Sequence, residues 1–291
     1  MYKLIAIDLD GTLLNSKGFI SEENKKAIKK AQDNGIEVIL ASGRSKDSVK
    51  NFALEINSNK YLIAGNGALA YDMRKNKDIY DKSIKKRDVL KILKICEDNS
   101  IFYSLHTKAS ILTKSLNYSP LIYHCENLSK PEEKKTSINV IPNLYEYVKS
   151  NNREKYLKIT IQDADKSIFG NIIKKLKQVR NVDVLEVEHS TKKTIKIANE
   201  KELEMQYYYT EITRKNINKW SAIKAVSKKM RIIPKNIVAI GDNINDKEMV
   251  ENAGLGISMG KSALAAKKIG YVTQKDHNSN GVAEAIEKIL H

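Results

Sequence analysis

Asp8 and Asp10 stand two residues apart in the string Ile7-Asp8-Leu9-Asp10-Gly11-Thr12-Leu13-Leu14, at the end of an apolar run. Side chains at i and i+2 of an extended chain share a face, so both carboxylates can enter one crevice. Such a pair suits a hard divalent cation, or a nucleophile beside an acid/base. A turn or cap explains an isolated Asp-x-Asp equally well; the longer string is more specific. Ser42-Gly43-Arg44 supplies a hydroxyl and backbone N–H groups near a helix start, the makings of a phosphate cradle or of a plain helix cap. Gly241-Asp242-Asn243-Ile244-Asn245-Asp246 adds two aspartates four residues apart. Acids gathered this closely repel one another, so their convergence predicts a metal ion.

The elements that must position these residues can be read from hydrophobic patterning. Lys3 to Leu9 reads as a buried strand, followed by a helix from the Ser21-Glu22-Glu23-Asn24 capping signal to about Gly35. Ile36 to Leu40 is a second strand, Lys46 to Glu55 a helix and Tyr61 to Ala64 a third strand. Alternation of this kind argues for a parallel, doubly wound sheet, whose strand carboxyl ends are where open α/β sheets hold ligands. The tail repeats the theme: a helix from about Trp220 to Met230, strands at Ile237 to Ile240, Gly254 to Ser258 and Tyr271-Val272, a helix around Lys247 and another from Gly281 to Leu290. The two ends, 1–81 and 207–291, therefore form one domain. Between them, 82–206 reads as an α+β insert large enough to fold separately. It has helices near Arg87 to Asn99 and Ser167 to Val179, and strands at Ile101 to His106, Leu157 to Gln162, Val182 to Val187 and Thr194 to Ile197.

Composition bounds the function. The 291 residues are 41 % hydrophobic and 30 % charged, which describes a globular protein and excludes a disordered or collagenous one. No apolar stretch suits a membrane span or a signal-peptide core, so a cytoplasmic location is expected. Cys96 and Cys125 have no metal-ligand spacing. Lysine and arginine number 51 against 35 acids, a formal charge of +16. That surplus suits a polyanion partner, but the lysines are spread along helix-like segments without interleaved aromatics. A solvated surface is the better reading, and neither a nucleic-acid nor a membrane partner is expected.

Taken in order, Asp8-x-Asp10-Gly11-Thr12, Ser42, Lys219 and Gly241-Asp242-x-x-Asn245-Asp246 resemble the four motifs of the haloacid dehalogenase (HAD) superfamily phosphatases, of the Cof type in subfamily IIB. Asn66-Gly67-Ala68 adds to the likeness. The long insert lies between the second motif and Lys219, which is where a type IIB (C2B) cap belongs. The resemblance implies a Rossmann-like HAD core and a Mg2+-dependent phosphatase acting through an aspartyl-phosphate on small phosphorylated metabolites. Sugar phosphates come first, nucleotide or cofactor phosphates next. Alternatives are a phosphomutase of the same fold, or a non-catalytic phospholigand- or RNA-binding protein; the oligomeric state is left open.

Carried over residue by residue, the resemblance makes Asp8 the nucleophile and Asp10 the acid/base. Mg2+ would be held by Asp8, the backbone carbonyl of Asp10 and Asp242, with Asp246 in support. Ser42, the Gly43 N–H, Lys219 and Asn245 would hold the phosphoryl group. With Asp10 protonated, three ionised aspartates balance Mg2+ and Lys219. Trp220 departs from the small residue expected after the lysine and is read as packing rather than stacking on substrate. Lys261 replaces an expected Asn, and either adds charge near the phosphate or faces water. Tyr207-Tyr208-Tyr209 is read as a strand at the hinge between the domains. His106, His189 and His124-Cys125 are read as structural.

Overall fold

Strands covered on both faces are unbroken apolar runs, and in β1 (Leu4–Ile7) every residue is buried. The structure, a computed structural model, describes residues 1–185, 190–196 and 202–290. After β1 the chain forms α1 (Glu22–Asp33), β2 (Glu37–Ala41), α2 (Lys46–Glu55), β3 (Tyr61–Ala64), β4 (Leu69–Asp72) and β5 (Lys77–Asp81). Next come α3 (Lys86–Asp98), β6 (Phe102–His106), β7 (Ile111–Thr113), α4 (Tyr118–Asn127), β8 (Ile138–Val140), α5 (Leu144–Ser150), β9 (Lys158–Asp163), α6 (Lys166–Leu176), β10 (Val182–Val184), β11 (Thr191–Lys196) and β12 (Glu202–Arg214). The tail holds α7 (Lys219–Met230), β13 (Ile237–Gly241), α8 (Lys247–Asn252), β14 (Leu255–Ser258), α9 (Ala263–Ala266), β15 (Tyr271–Val272) and α10 (Gly281–Leu290).

The chain divides into two compact units, one made of residues 1–81 with the chain from Asn218 onward and the other of residues 82–217. In the first, one sheet runs β15-β14-β13-β1-β2-β3-β4-β5, parallel from β15 to β3 and antiparallel at β4 and β5. Ile7 lies in register with Ile240 of β13 on one side and with Leu40 of β2 on the other. The chain leaves β1 toward β2 and returns on its far side as β13, so strand order reverses there. At such a switch point the loops at the strand carboxyl ends diverge and open a crevice. Leu4, Ala6 and Ile39 pack against Trp220, Ile223 and Val226 of α7 and Met249 and Val250 of α8. Ile5 and Ile7 are fully buried on the opposite face. This is the doubly wound parallel core read from the sequence, and Trp220 belongs to its packing.

The second unit is a sheet of order β10-β12-β9-β6-β7-β8 with β11 paired to β12. One face carries Tyr103, Leu105, Ile159, Ile161 and Ile212 against Val89, Ile92 and Leu93 of α3 and Phe169 and Ile172 of α6. Cross-strand register puts Ser104, His106, Thr160 and Glu211 on the other face.

Two sequence expectations change. The strand holding Tyr207-Tyr208-Tyr209 pairs with β9, β10 and β11, so it lies inside the second unit, and the boundary falls after Ile217 instead of at 206/207. The strand runs on to Arg214, and only the turn at Lys215–Asn216 ends it. The hairpin β4–β5 and the elements β7, β8, α4 and α5 had no strong periodic signal. The strand expected over Val182 to Val187 is described to Val184, and the one expected over Thr194 to Ile197 begins at Thr191. Val187, Ile197 and His189 lie outside the described residues. Among the described residues, no helix is long and apolar enough to cross a membrane.

Candidate active site

Asp8 follows directly on β1, and its N–H donates to Ile240 O at 3.0 Å, so the strand pairing carries the carboxylate to the crevice. Asp242 follows directly on β13, and its Oδ1 accepts from Thr12 Oγ1 at 3.0 Å. The turn between Asp10 and Thr12 hugs that carboxylate: Gly11 has φ +80°, and a Cβ there would lie 2.3 Å from Asp242 Oδ2. Only glycine serves both the backbone angle and the approach. Asp246 is fully buried; its Oδ2 accepts from the N–H groups of Asp242 and Asn243 at 3.1 and 3.2 Å, tying its loop to the end of β13.

Lys219 opens α7, which is capped by Asn218 Oδ1 accepting from Ser221 N at 2.9 Å. A cation at a helix N-terminus meets the unfavourable end of the dipole, so the helix does not explain this buried lysine. Its partners do: Nζ donates at 2.5 Å to both Asp8 Oδ1 and Asp246 Oδ1. Carboxylate oxygens of Asp8, Asp242 and Asp246 lie within 4.8 Å of one another. Burial, then the Asp246 charge, push the Asp8 carboxyl up to about 7 against the pull of Lys219. Burial and the Asp8 and Asp246 charges likewise hold Asp242 well above the ordinary carboxylate range. Burial disfavours the Lys219 charge, but the two carboxylates outweigh it and hold its pKa above the ordinary lysine value. One ammonium among three acids leaves negative charge uncompensated, and an all-oxygen donor set of this kind fits a hard divalent cation.

Asp10 is turned to a different partner. Arg44 Nε donates to Asp10 Oδ2 at 2.9 Å and Nη2 to Oδ1 at 2.6 Å. Ser42 is fully buried, with Oγ accepting from Arg44 N at 3.2 Å and its carbonyl accepting from Asn66 N at 3.0 Å. Asn245 Nδ2 reaches Asn66 Oδ1 at 3.2 Å. A Cβ on Gly67, at φ +90°, would lie 2.0 Å from Asn218 O, so the Asn66-Gly67 turn abuts the residue that caps α7.

The profile of the haloacid dehalogenase-like hydrolases matches residues 5–286, nearly the whole chain. This chain belongs to that family. As a HAD-like hydrolase it is an enzyme, with the core architecture described above. It is 29 % identical to Phosphatase YwpJ of Bacillus subtilis, covering 99 % of this chain and all of that one. It is 26 % identical to 5-amino-6-(5-phospho-D-ribitylamino)uracil phosphatase YcsE of the same organism, over 98 % of this chain and 94 % of the other. A haloacid dehalogenase-like hydrolase structure from B. subtilis superposes with a TM-score of 0.79 at 26 % identity, covering 98 % of this chain and 99 % of that one.

Within this HAD-like hydrolase, the residues singled out from sequence fall into three groups. Asp8, Asp242, Asp246 and Lys219 meet directly. Ser42, Gly43 and Asn245 lie on the turns around Asn66 and Arg44, with Asn245 bonded to Asn66. The Asp10 carboxylate is not one of the three that meet: it pairs with Arg44, and its charge adds to those that raise Asp8. Lys261 is largely exposed, its Nζ 4.0 Å from Asp276, and His106 is buried in the second unit. The sequence reading missed Arg44, Thr12 and Asn66 as participants. Arg44 directly follows the Ser42-Gly43 pair, and Thr12 closes the first motif, so adjacency was their available signal. The neutral charge count omitted Arg44, which adds one positive charge beside Asp10.

Proposed function

We propose that this protein is a Mg2+-dependent phosphomonoesterase that acts on small phosphorylated metabolites through an aspartyl-phosphate on Asp8. The observation that carries the reading is the buried set of Asp8, Asp242 and Asp246 around Lys219, with oxygens within 4.8 Å of one another. Asp8, Asp242 and the Asp10 carbonyl would hold the metal, with Asp246 behind them. Bound there, Mg2+ would neutralise charge on the phosphoryl oxygens and orient them. Asp8 attacks phosphorus, while Lys219, Ser42 Oγ and the Gly43 N–H hold the phosphoryl oxygens. Asp10 gives a proton to the departing alcohol, then takes one from the water that cleaves the intermediate.

Residues 82–217 take the part of a type IIB cap. In support, they interrupt the core between Ser42 and Lys219 and have an apolar core of their own. Phosphorylated sugars and polyols are the first substrate class. YcsE, named for a phosphate ester on a ribityl chain, supports that choice. We assign the enzyme to the cytoplasm, in keeping with the free thiols Cys96 and Cys125.

The test is phosphate release from p-nitrophenyl phosphate and a panel of sugar and polyol phosphates, with Mg2+ or EDTA. Asp8→Asn should keep the fold and lower kcat by at least about 10⁴-fold. Folded wild type that releases no phosphate across the panel would overturn the reading.

A further inference from the structure

Phosphate binding, already assigned to Lys219, Ser42 and Gly43, leaves the grip of Arg44 on Asp10 without a purpose. That grip has a buried side and an exposed side. The Arg44 side chain is 8 % exposed and the Asp10 side chain 53 %. The arginine is anchored by its N–H on Ser42 Oγ, and its guanidinium carbon lies 5.4 Å from the centre of the Phe52 ring. Two parallel N–H···O bonds, at 2.9 and 2.6 Å, fix the plane of a carboxylate as well as its place. Lys219 serves Asp8 and Asp246, and does not do this for Asp10.

We propose that Arg44 is the positioning residue for Asp10 in the breakdown of the aspartyl-phosphate, an inference that rests on the phosphatase reading above. Arg44 sets the carboxylate where it takes a proton from the attacking water. The water oxygen bonds to phosphorus as the P–O bond to Asp8 breaks, and that electron pair returns to the Asp8 carboxylate. Without Arg44 the intermediate still forms, from a substrate whose leaving group needs no acid, but it is cleaved slowly.

Arg44→Met and Arg44→Lys test this with p-nitrophenyl phosphate, whose p-nitrophenolate departs unaided. Steady-state kcat should fall between about tenfold and a hundredfold in the Met variant. KM should fall with it, because breakdown of a covalent intermediate then limits turnover. The fraction of enzyme carrying phosphate, read from the intact mass of acid-quenched protein at saturating substrate, should rise above wild type. Arg44→Lys, which keeps the charge but not the two-point grip, should move in the same direction by less, and it carries the test if the Met variant does not fold. A raised KM without added covalent phosphate would make Arg44 a phosphate ligand and overturn the proposal. Unchanged kcat and KM would make it structural and overturn it too. Wild type that neither releases p-nitrophenolate nor takes up phosphate would instead bring down the phosphatase reading itself.

Discussion

In the first unit Asp8, Asp242, Asp246 and Lys219 crowd the ends of β1 and β13, whereas in the second unit Lys158, His106, Thr160 and Glu211 lie across the middle of a sheet. Both sets are largely buried. Those of the second unit are matched in pairs: Lys158 with Glu211, and His106 Nε2 with Thr160 Oγ1 at 3.1 Å. Those of the first unit outnumber their partner, three acids to one lysine, and push Asp8 and Asp242 upward. Paired polar groups add structure at little net gain or cost. An unbalanced buried cluster opposes folding until a ligand completes it, and so points to a site.

The largest effect should separate two lysines. Lys219→Met leaves Asp8 and Asp246 without their cation and should destabilise the metal-free protein by about 3–5 kcal/mol in urea denaturation. Lys158→Met removes the ammonium that faces Glu211, whose side chain is 14 % exposed, and should cost only about 1–3 kcal/mol. Equal losses would break the comparison.

Divalent cation should sharpen it. The Asp8 carboxyl is raised to about 7 by burial and then Asp246, and Asp242 moves the same way. The fold therefore favours the protonated acids, and without metal it loses stability as pH rises from about 4 through 7. Mg2+ favours the ionised acids, so its gain in thermal midpoint should be greater at pH 8 than at pH 5. At a hundredfold excess over Kd that gain is worth about 2.7 kcal/mol. A gain independent of pH would sever the link between the cluster and the metal.

The smallest effect belongs to His106, whose pKa lies well below 6.5 because of burial first and the Lys158 charge second. A depressed histidine keeps its full contribution above the unfolded value and loses it as pH falls below 6.5, by about 1.4 kcal/mol per pH unit. His106→Gln should flatten the acid limb of stability in wild type by that amount while leaving the metal response intact.

How much was legible follows from whether a signal was local. β1, β2, β3 and β13 are short apolar runs ending in motif residues, and each appears within about two residues of its expected place. α2 lies at the bounds its pattern predicts. β7 and β8, of three residues each, are too short to show a period, and the hairpin β4–β5 carries no alternation that separates it from a loop. Tyr207-Tyr208-Tyr209 was rightly a strand, but its sheet is fixed by partners far away in the chain, β9 above all. Arg44 was visible only as the end of a motif, because its partner Asp10 precedes it by 34 residues.

The order of strands and helices, the acids at the strand ends and the family to which they belong are legible in the chain alone, since each is written in contiguous patterns and fixed motif spacings. The sharing of Lys219 by Asp8 and Asp246, the hold of Arg44 on Asp10 and the place of the long strand Glu202–Arg214 in the second unit come only with the assembled fold. Each of these is a contact between residues remote in the chain, and the register of strands and the burial of charge that select it exist only once the sheets are assembled.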